Sequence, residues 1–128
     1  MPRARRNRDR LKQVANWLRA SYPTPYPVEL YIGKLSLPNR PIEHGGDCTR
    51  VHKGRRRYLL VRIEERLPRG DAIFYLLHEW AHAHTWACDA IEKTRAMHPD
   101  EFWLALGRMY RDLYDVEDDE DPTVDFPW

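Results

Sequence analysis

The sequence predicts a single α+β domain with an N-terminal helix, a small antiparallel sheet of about three strands, and two core helices after it. Apolar residues recur with helical spacing near the start and in the second half of the chain, and they alternate with a period of two in between. The length of 128 residues suits one domain. A composition with 42% hydrophobic and 32% charged residues and a mean hydropathy of -0.77 is typical of a folded chain with a polar surface.

The first helix is predicted from four apolar residues at positions i, i+3, i+4 and i+7, namely Leu11, Val14, Ala15 and Leu18. Three prolines between residues 22 and 27 end it, because a helix does not continue through alternating prolines. The arginine-rich residues 1–10 are predicted to be flexible. The domain proper is therefore expected to cover residues 11–115.

Three strands are predicted in the next part of the chain, over residues 28–32, 47–52 and 57–65. In the third strand, alternate residues are apolar, which places Leu59, Val61 and Ile63 on one face. Lys53 and Gly54 are typical of a turn, so the second and third strands are predicted to form a hairpin. Residues 37–46, with two prolines and a Gly-Gly pair, are predicted to be a loop.

Two helices follow the sheet. Asp71 is predicted to cap a helix that begins at Ala72 and is apolar nearly all round, as is typical of a central, buried helix. Pro99 is predicted to begin the last helix. Its inward stripe is expected to consist of Phe102, Leu106, Met109, Tyr110 and Leu113. Residues 116–128 are predicted to be an acidic tail.

Charge is distributed unevenly along the chain. Residues 1–69 contain 17 basic and 6 acidic side chains, a net charge of +11, whereas residues 70–128 carry a net charge of -10. Basic clusters, among them Arg55, Arg56 and Arg57 at the predicted hairpin, indicate a possible nucleic-acid partner, because such clusters neutralise phosphates. The alternative is that the two halves pair with each other.

The chain has no apolar run approaching the ~20 residues of a membrane span, since the longest covers residues 72–77. No apolar leader follows the basic start, and two cysteines, Cys48 and Cys88, cannot build a disulfide framework. We therefore expect no membrane partner and a cytoplasmic location. The sequence does not predict the oligomeric state.

The residues His78-Glu79-Trp80-Ala81-His82 form an HExxH sequence inside the predicted helix. Two histidines at i and i+4 project to one side of a helix, where both imidazoles can bind one zinc ion. Glu79 lies about 100° further round, where it can act on a water without being a ligand. The sequence therefore predicts a Zn²⁺ site, although Mn²⁺ or Co²⁺ stays an alternative.

A catalytic zinc needs a third protein ligand. The candidates are Cys88, Asp89, Glu92, His98 and Glu101. His98 is preferred, because a helix projected back from Phe102 places it within about 60° of the apolar stripe, while Glu101 falls about 120° away. Glu101 stays open as the alternative, as in sites of the thermolysin type.

The HExxH sequence followed by His98-Pro99-Asp100-Glu101-Phe102-Trp103 resembles the SprT-like zinc metallopeptidases and the related WLM and YgjP-like minimal gluzincin domains. The resemblance covers residues 71–113. It implies a zincin-like fold, with His78, His82 and His98 as zinc ligands and Glu79 as catalytic base. Pro99 departs from the glycine that is more usual after the third histidine, and the zinc ribbon of some members is absent.

The expected function is therefore that of a zinc-dependent metalloprotease, in which a peptide adds to an exposed strand edge above the metal. A hydrogen bond to the oxyanion is expected from one of three side chains, Tyr75, His84 or Tyr110. His84 lies on the far side of the helix from His82, and a structural role is predicted for it there. One alternative is a basic nucleic-acid-binding module with a structural or vestigial zinc site. A weaker one is metal-dependent hydrolysis of another bond.

Overall fold

The computed structural model describes residues 3–35, 45–86 and 100–119 of the chain. It has an α+β architecture, as the sequence predicts. Its elements in chain order are α1 (Arg3–Ser21), β1 (Val28–Gly33), β2 (Gly46–Lys53), β3 (Arg56–Glu64), α2 (Arg69–His84) and α3 (Asp100–Asp119). Within these ranges, no helix combines the length and the apolar character needed to cross a membrane.

The three strands form one sheet in the order β1-β3-β2. Strands β2 and β3 are antiparallel, which confirms the predicted hairpin. Strand β1, however, pairs with β3 in parallel, with Val28 opposite Leu59 and Ile32 opposite Ile63. The sheet is therefore mixed, and the prediction of an antiparallel sheet is wrong for β1. Apolar alternation indicates which face of a strand is buried but not the direction in which the strand runs.

Helix α2 is the centre of the domain and contacts α1, α3, β2 and β3. Fully buried side chains of the helix pack there against fully buried side chains of β3 and α3; they are Leu76, Leu77 and Trp80 on α2, Leu59 and Ile63 on β3, and Phe102 on α3. The helix begins at Arg69, two residues before the predicted cap Asp71, so that prediction is wrong. Pro68 precedes the helix, and its carbonyl accepts the first bond, from the Ala72 amide at 2.9 Å. Asp71 instead lies in the first turn, where its charge favours the helix dipole.

Helix α1 begins at Arg3, within the residues 1–10 for which the sequence predicts flexibility. Its first turns contact the connection between β3 and α2. The buried Asn7 amide donates to the carbonyl of Leu67 at 3.3 Å, and Arg8 forms an ion pair with Glu65 at 3.1 Å. These partners are far away in sequence, so the local pattern does not contain them. At the other end of the chain, α3 continues to Asp119, beyond the predicted boundary at residue 115.

Tyr22 joins all three helices at the end of α1. Its buried hydroxyl donates to the carboxylate of Asp112 on α3, and its carbonyl accepts from the indole of Trp80 on α2 at 3.0 Å. Burial and the Asp112 carboxylate raise the pKa of Tyr22 to about 12, so the phenol stays a donor. The His84 ring packs edge-on against it and donates from Nδ1 to the carbonyl of Pro23 at 2.6 Å. His84 therefore has the structural role that the sequence predicts.

Glu64 is a fully buried carboxylate at the end of β3. It accepts backbone N–H groups from Leu35 and Arg66, both at 2.9 Å, and the Arg66 guanidinium at 2.8 and 3.0 Å. The hydrogen bonds of Arg66 are the main reason why the pKa of Glu64 is lowered to about 2. The carboxylate thereby ties the end of β1 to the turn that leads into α2.

We expect Glu64→Gln to lower the free energy of unfolding by about 2–3 kcal/mol at neutral pH, because the variant loses a charged acceptor. The folded-state pKa of Glu64 lies below its ordinary value near 4.5. Its contribution is therefore complete above about pH 5 and is lost as the pH falls toward 2. Urea denaturation over this range should show the difference between wild type and variant shrinking. Glu29→Gln, at a partly exposed carboxylate that pairs with Arg56, is the control. A difference between wild type and Glu64→Gln that persists unchanged at pH 2 contradicts the assignment.

Candidate metal centre

The imidazoles of His78 and His82 lie on consecutive turns of α2, and both are half-buried. Their ring centroids are 5.1 Å apart. Two imidazoles bound to one tetrahedral zinc at about 2.0–2.1 Å have their ring centres about 5 Å apart. The separation of the two rings therefore fits shared coordination of one metal ion.

Glu79 lies between the two histidines in sequence and faces the sheet. Its side chain is only 6% exposed, and within the described residues no group donates a hydrogen bond to its carboxylate. Burial, with a smaller contribution from the charge of Asp47, raises the pKa of Glu79 to about 8. A carboxyl group whose pKa is shifted toward neutral pH, next to two ligand-type side chains, is typical of the acid–base groups of active sites.

The glycine pair Gly45-Gly46 allows the start of β2 to approach α2. A Cβ atom on Gly45 would lie 2.3 Å from the ring of Tyr75. One on Gly46 would lie 2.7 Å from the Arg62 carbonyl oxygen and 3.4 Å from Cγ of Glu79. Because Tyr75 and Glu79 are one turn apart on α2, both glycines lie against the same face of this helix. The sequence predicts a loop over residues 37–46, but Gly46 is the first residue of β2, and the contact of the pair with α2 depends on residues distant in sequence.

Strand β2 is an edge of the sheet within the residues described. The Gly45 carbonyl accepts from the Glu64 amide at 2.8 Å, so Gly45 belongs to a hydrogen-bonded pair. Such pairs alternate in an antiparallel ladder, and Gly46, opposite Ile63, therefore directs its N–H and C=O away from β3. An outward-facing backbone donor and acceptor thus lie next to Glu79.

Phe102 of α3 packs against the rings of both histidines on the side that faces the core. Its fully buried ring lies 5.0 Å from the His78 ring and 4.4 Å from the His82 ring, measured between centroids. Glu101, the alternative third ligand, is exposed. It lies within about 20° of Asp112 around the helix axis, on the flank that faces Tyr22 rather than the histidines.

His98 lies outside the described residues, as do Cys88, Asp89 and Glu92. Within residues 3–35, 45–86 and 100–119, no three side chains of the types His, Cys, Asp and Glu form a group that could hold a metal. The described structure therefore brings together His78, Glu79 and His82 and leaves the third ligand as a prediction.

No family model, no curated protein and no solved structure matches the chain. The function is therefore inferred from the residues of the site themselves.

The third ligand can be tested by zinc competition against a chelator. We expect His98→Ala to weaken zinc binding by on the order of 100-fold or more, as loss of a ligand should exceed the 10–100-fold effect of an outer partner. Glu101→Ala should change the affinity little, because this side chain is exposed on the opposite flank of α3. If Glu101→Ala loses zinc while His98→Ala keeps it, the assignment of His98 as the third ligand is wrong.

Proposed function

We propose that the protein is a zinc-dependent metallopeptidase of the SprT-like type, with His78, His82 and His98 as zinc ligands. One observation carries the proposal. A buried carboxylate, Glu79, lies beside two imidazoles at the separation that zinc requires and beneath the outward-facing backbone of Gly46. A merely structural zinc site has no need of a desolvated acid beside its ligands.

Zinc at this site would act as a Lewis acid that activates water and polarises the scissile carbonyl. Glu79 accepts the proton of the attacking water and passes it to the leaving amine. Tyr75 and Tyr110 are the candidates for the hydrogen bond to the oxyanion. His84, the third candidate, is excluded from this role because it donates to the carbonyl of Pro23 beside Tyr22.

The substrate in this proposal is an extended peptide that adds to the outer edge of β2, where no described strand is paired. Gly45, just before this strand, lies beside Tyr75, and Gly46, its first residue, lies beside Glu79. The chain therefore enters β2 along α2 in the direction of increasing residue number. A peptide that pairs with Gly46 therefore lies over the helix face that carries Glu79 and His78. Main-chain hydrogen bonds hold such a peptide without selecting its side chains.

Glu79→Gln tests the mechanism. We expect the zinc-loaded variant to lose hydrolysis of a casein substrate by about 10²–10⁴-fold, since the proton acceptor is removed while all three ligands remain. Its zinc content and melting temperature should not fall, because a neutral amide replaces a desolvated carboxylate that accepts no hydrogen bond from the described residues. Glu29→Gln is the matched control, because this carboxylate on β1 is partly exposed and pairs with Arg56, away from the histidines. Wild-type activity in zinc-loaded Glu79→Gln contradicts the proposal.

A second candidate function, binding of nucleic acid, is supported by the tip of the β2–β3 hairpin. Gly54, with φ 63°, and Arg55 form its two-residue turn, one position later than predicted. Lys53, Arg55 and Arg57 are exposed, and none of them has a carboxylate partner among the described residues. Arg56, in contrast, forms an ion pair with Glu29 and lies over the Tyr58 ring at 4.7 Å.

This difference between neighbouring arginines makes the second candidate testable. Arg55→Ala and Arg57→Ala should each lower the affinity for a labelled DNA duplex and reduce the slope of log K against log salt by about 1. Arg56→Ala should reduce the slope less, because Glu29 already neutralises that guanidinium. Fluorescence anisotropy over a range of salt concentrations measures both quantities. Binding that is independent of salt, or an Arg56→Ala effect larger than the other two, contradicts this role.

A further inference from the structure

An open cleft of about 220 Å³ lies between α2 and α3, beside the histidine pair. Its walls are Gly70, Ile73, Phe74, Tyr110, Leu113 and Tyr114. We propose that this aromatic cleft is the specificity site of the enzyme and takes one bulky apolar side chain, of the phenylalanine or leucine class, from the peptide substrate. The inference rests on the proposed peptidase function and adds the substrate class.

The volume of the cleft suits one side chain. A cavity of about 150 Å³ with apolar walls already holds benzene. Sites for complete drug-sized ligands occupy about 300–1,000 Å³. At about 220 Å³ the cleft is large enough for a phenyl ring and too small for a larger independent ligand.

The walls of the cleft select apolar groups. None of the lining residues carries a charge, and burial together with the neighbouring Tyr114 raises the pKa of Tyr110 to about 12, so its phenol stays neutral. Phe74 and Tyr114 remain 42% and 58% exposed, although both are large aromatic side chains. Exposed aromatic residues grouped around a concave surface are typical of a binding site.

The position of the cleft links it to the candidate metal centre. Phe74 is one helical turn before His78, and the centroids of their rings are 6.0 Å apart. Four residues of helix rise about 6 Å, and an extended peptide rises about 3.3 Å per residue. If a peptide runs along α2, its cleaved peptide bond lies near His78. The side chain that enters the cleft then belongs to a residue within about two positions of that bond.

The two sides of α2 thus have different roles. On the sheet side, Tyr75 and Glu79 face the edge strand, whose backbone can bind any peptide. On the other side, the Phe74 and Tyr110 rings approach to 6.2 Å and form the start of the cleft. Backbone pairing and side-chain selection are therefore separated across one helix, with the histidines between them.

A peptide series tests the proposal. Quenched fluorescent peptides of Gly, Ser and Ala carry a single Phe that is moved one position at a time, and a parallel series carries Asp instead. With the zinc-loaded full chain, we expect the cleaved bond to move with the Phe and to stay within about two residues of it. The specificity constant kcat/KM should exceed that of the all-Ala peptide by about 10-fold or more. Mass spectrometry identifies the cleaved bond.

Two substitutions test the cleft itself. Gly70 lines the cleft, and a Cβ atom there would meet nothing within 4 Å, so Gly70→Leu adds a bulky side chain at the cleft wall without a backbone clash. Gly70→Ala is its small control. We expect Gly70→Leu to lower kcat/KM for the Phe peptide about 10-fold and for the Ala peptide less than about 2-fold. Tyr114→Ala should also reduce the preference for Phe. Leu104→Ala, at an equally exposed position of α3 outside the cleft, should not.

The outcomes separate this inference from the proposed function. Two outcomes contradict the aromatic cleft without contradicting the peptidase function. One is cleavage that depends on Glu79 but not on the position of Phe, and the other is a preference for Phe that remains in Gly70→Leu. If no peptide is cleaved, the proposed function fails. Binding of the labelled Phe peptide, measured by fluorescence anisotropy, then tests the cleft independently of cleavage. Binding lost in Gly70→Leu supports the cleft, whereas equal binding overturns it.

Discussion

The burial of α2 is the constraint on which the rest of the structure depends. This helix packs against the sheet, α1 and α3 at once, and side chains such as Trp80 and Leu77 are fully buried as a result. Only a narrow face remains for polar chemistry, and His78 and His82 occupy it. Because the backbone of a helix packed on several sides has little freedom to move, the two imidazoles are held by the core of the protein itself.

Two buried glutamates in this core have pKa values that are shifted in opposite directions. Glu64 is surrounded by hydrogen-bond donors, and its pKa falls to about 2. Glu79 is desolvated with no such donor among the described residues, and its pKa rises to about 8. Both side chains have little exposed surface, and the difference in pKa follows from the leading cause at each site, which is hydrogen bonding from Arg66 for Glu64 and desolvation for Glu79. The satisfied carboxylate stabilises the fold where the chain enters α2, and the unsatisfied one lies in the candidate site.

Much of the fold could be predicted from local physics. Prolines after Tyr22 end α1 because they cannot continue a helix, and the alternation of Leu59, Val61 and Ile63 marks a buried strand face that the structure confirms. The pairing of His78 with His82 follows from helical geometry alone and is likewise present.

The features that could not be predicted depend on contacts between distant residues. The parallel pairing of β1, the packing of Asn7 and the approach of the Gly45-Gly46 pair to α2 have partners elsewhere in the chain. Glu64 resembles an ordinary surface glutamate until its donors are assembled around it. The aromatic cleft was missed for the same reason, since its walls come from two helices that no local pattern joins.

The position of Tyr22 has a consequence for how the domain opens. This residue connects the end of α1 to Trp80 on α2 and to Asp112 on α3. Detaching α3 breaks the part-buried hydrogen bond between Tyr22 and Asp112, and detaching α1 breaks this bond and the bond from Trp80. We therefore expect the three helices to open together, and amide hydrogens near Tyr22, Trp80 and Asp112 to exchange with solvent through one shared opening.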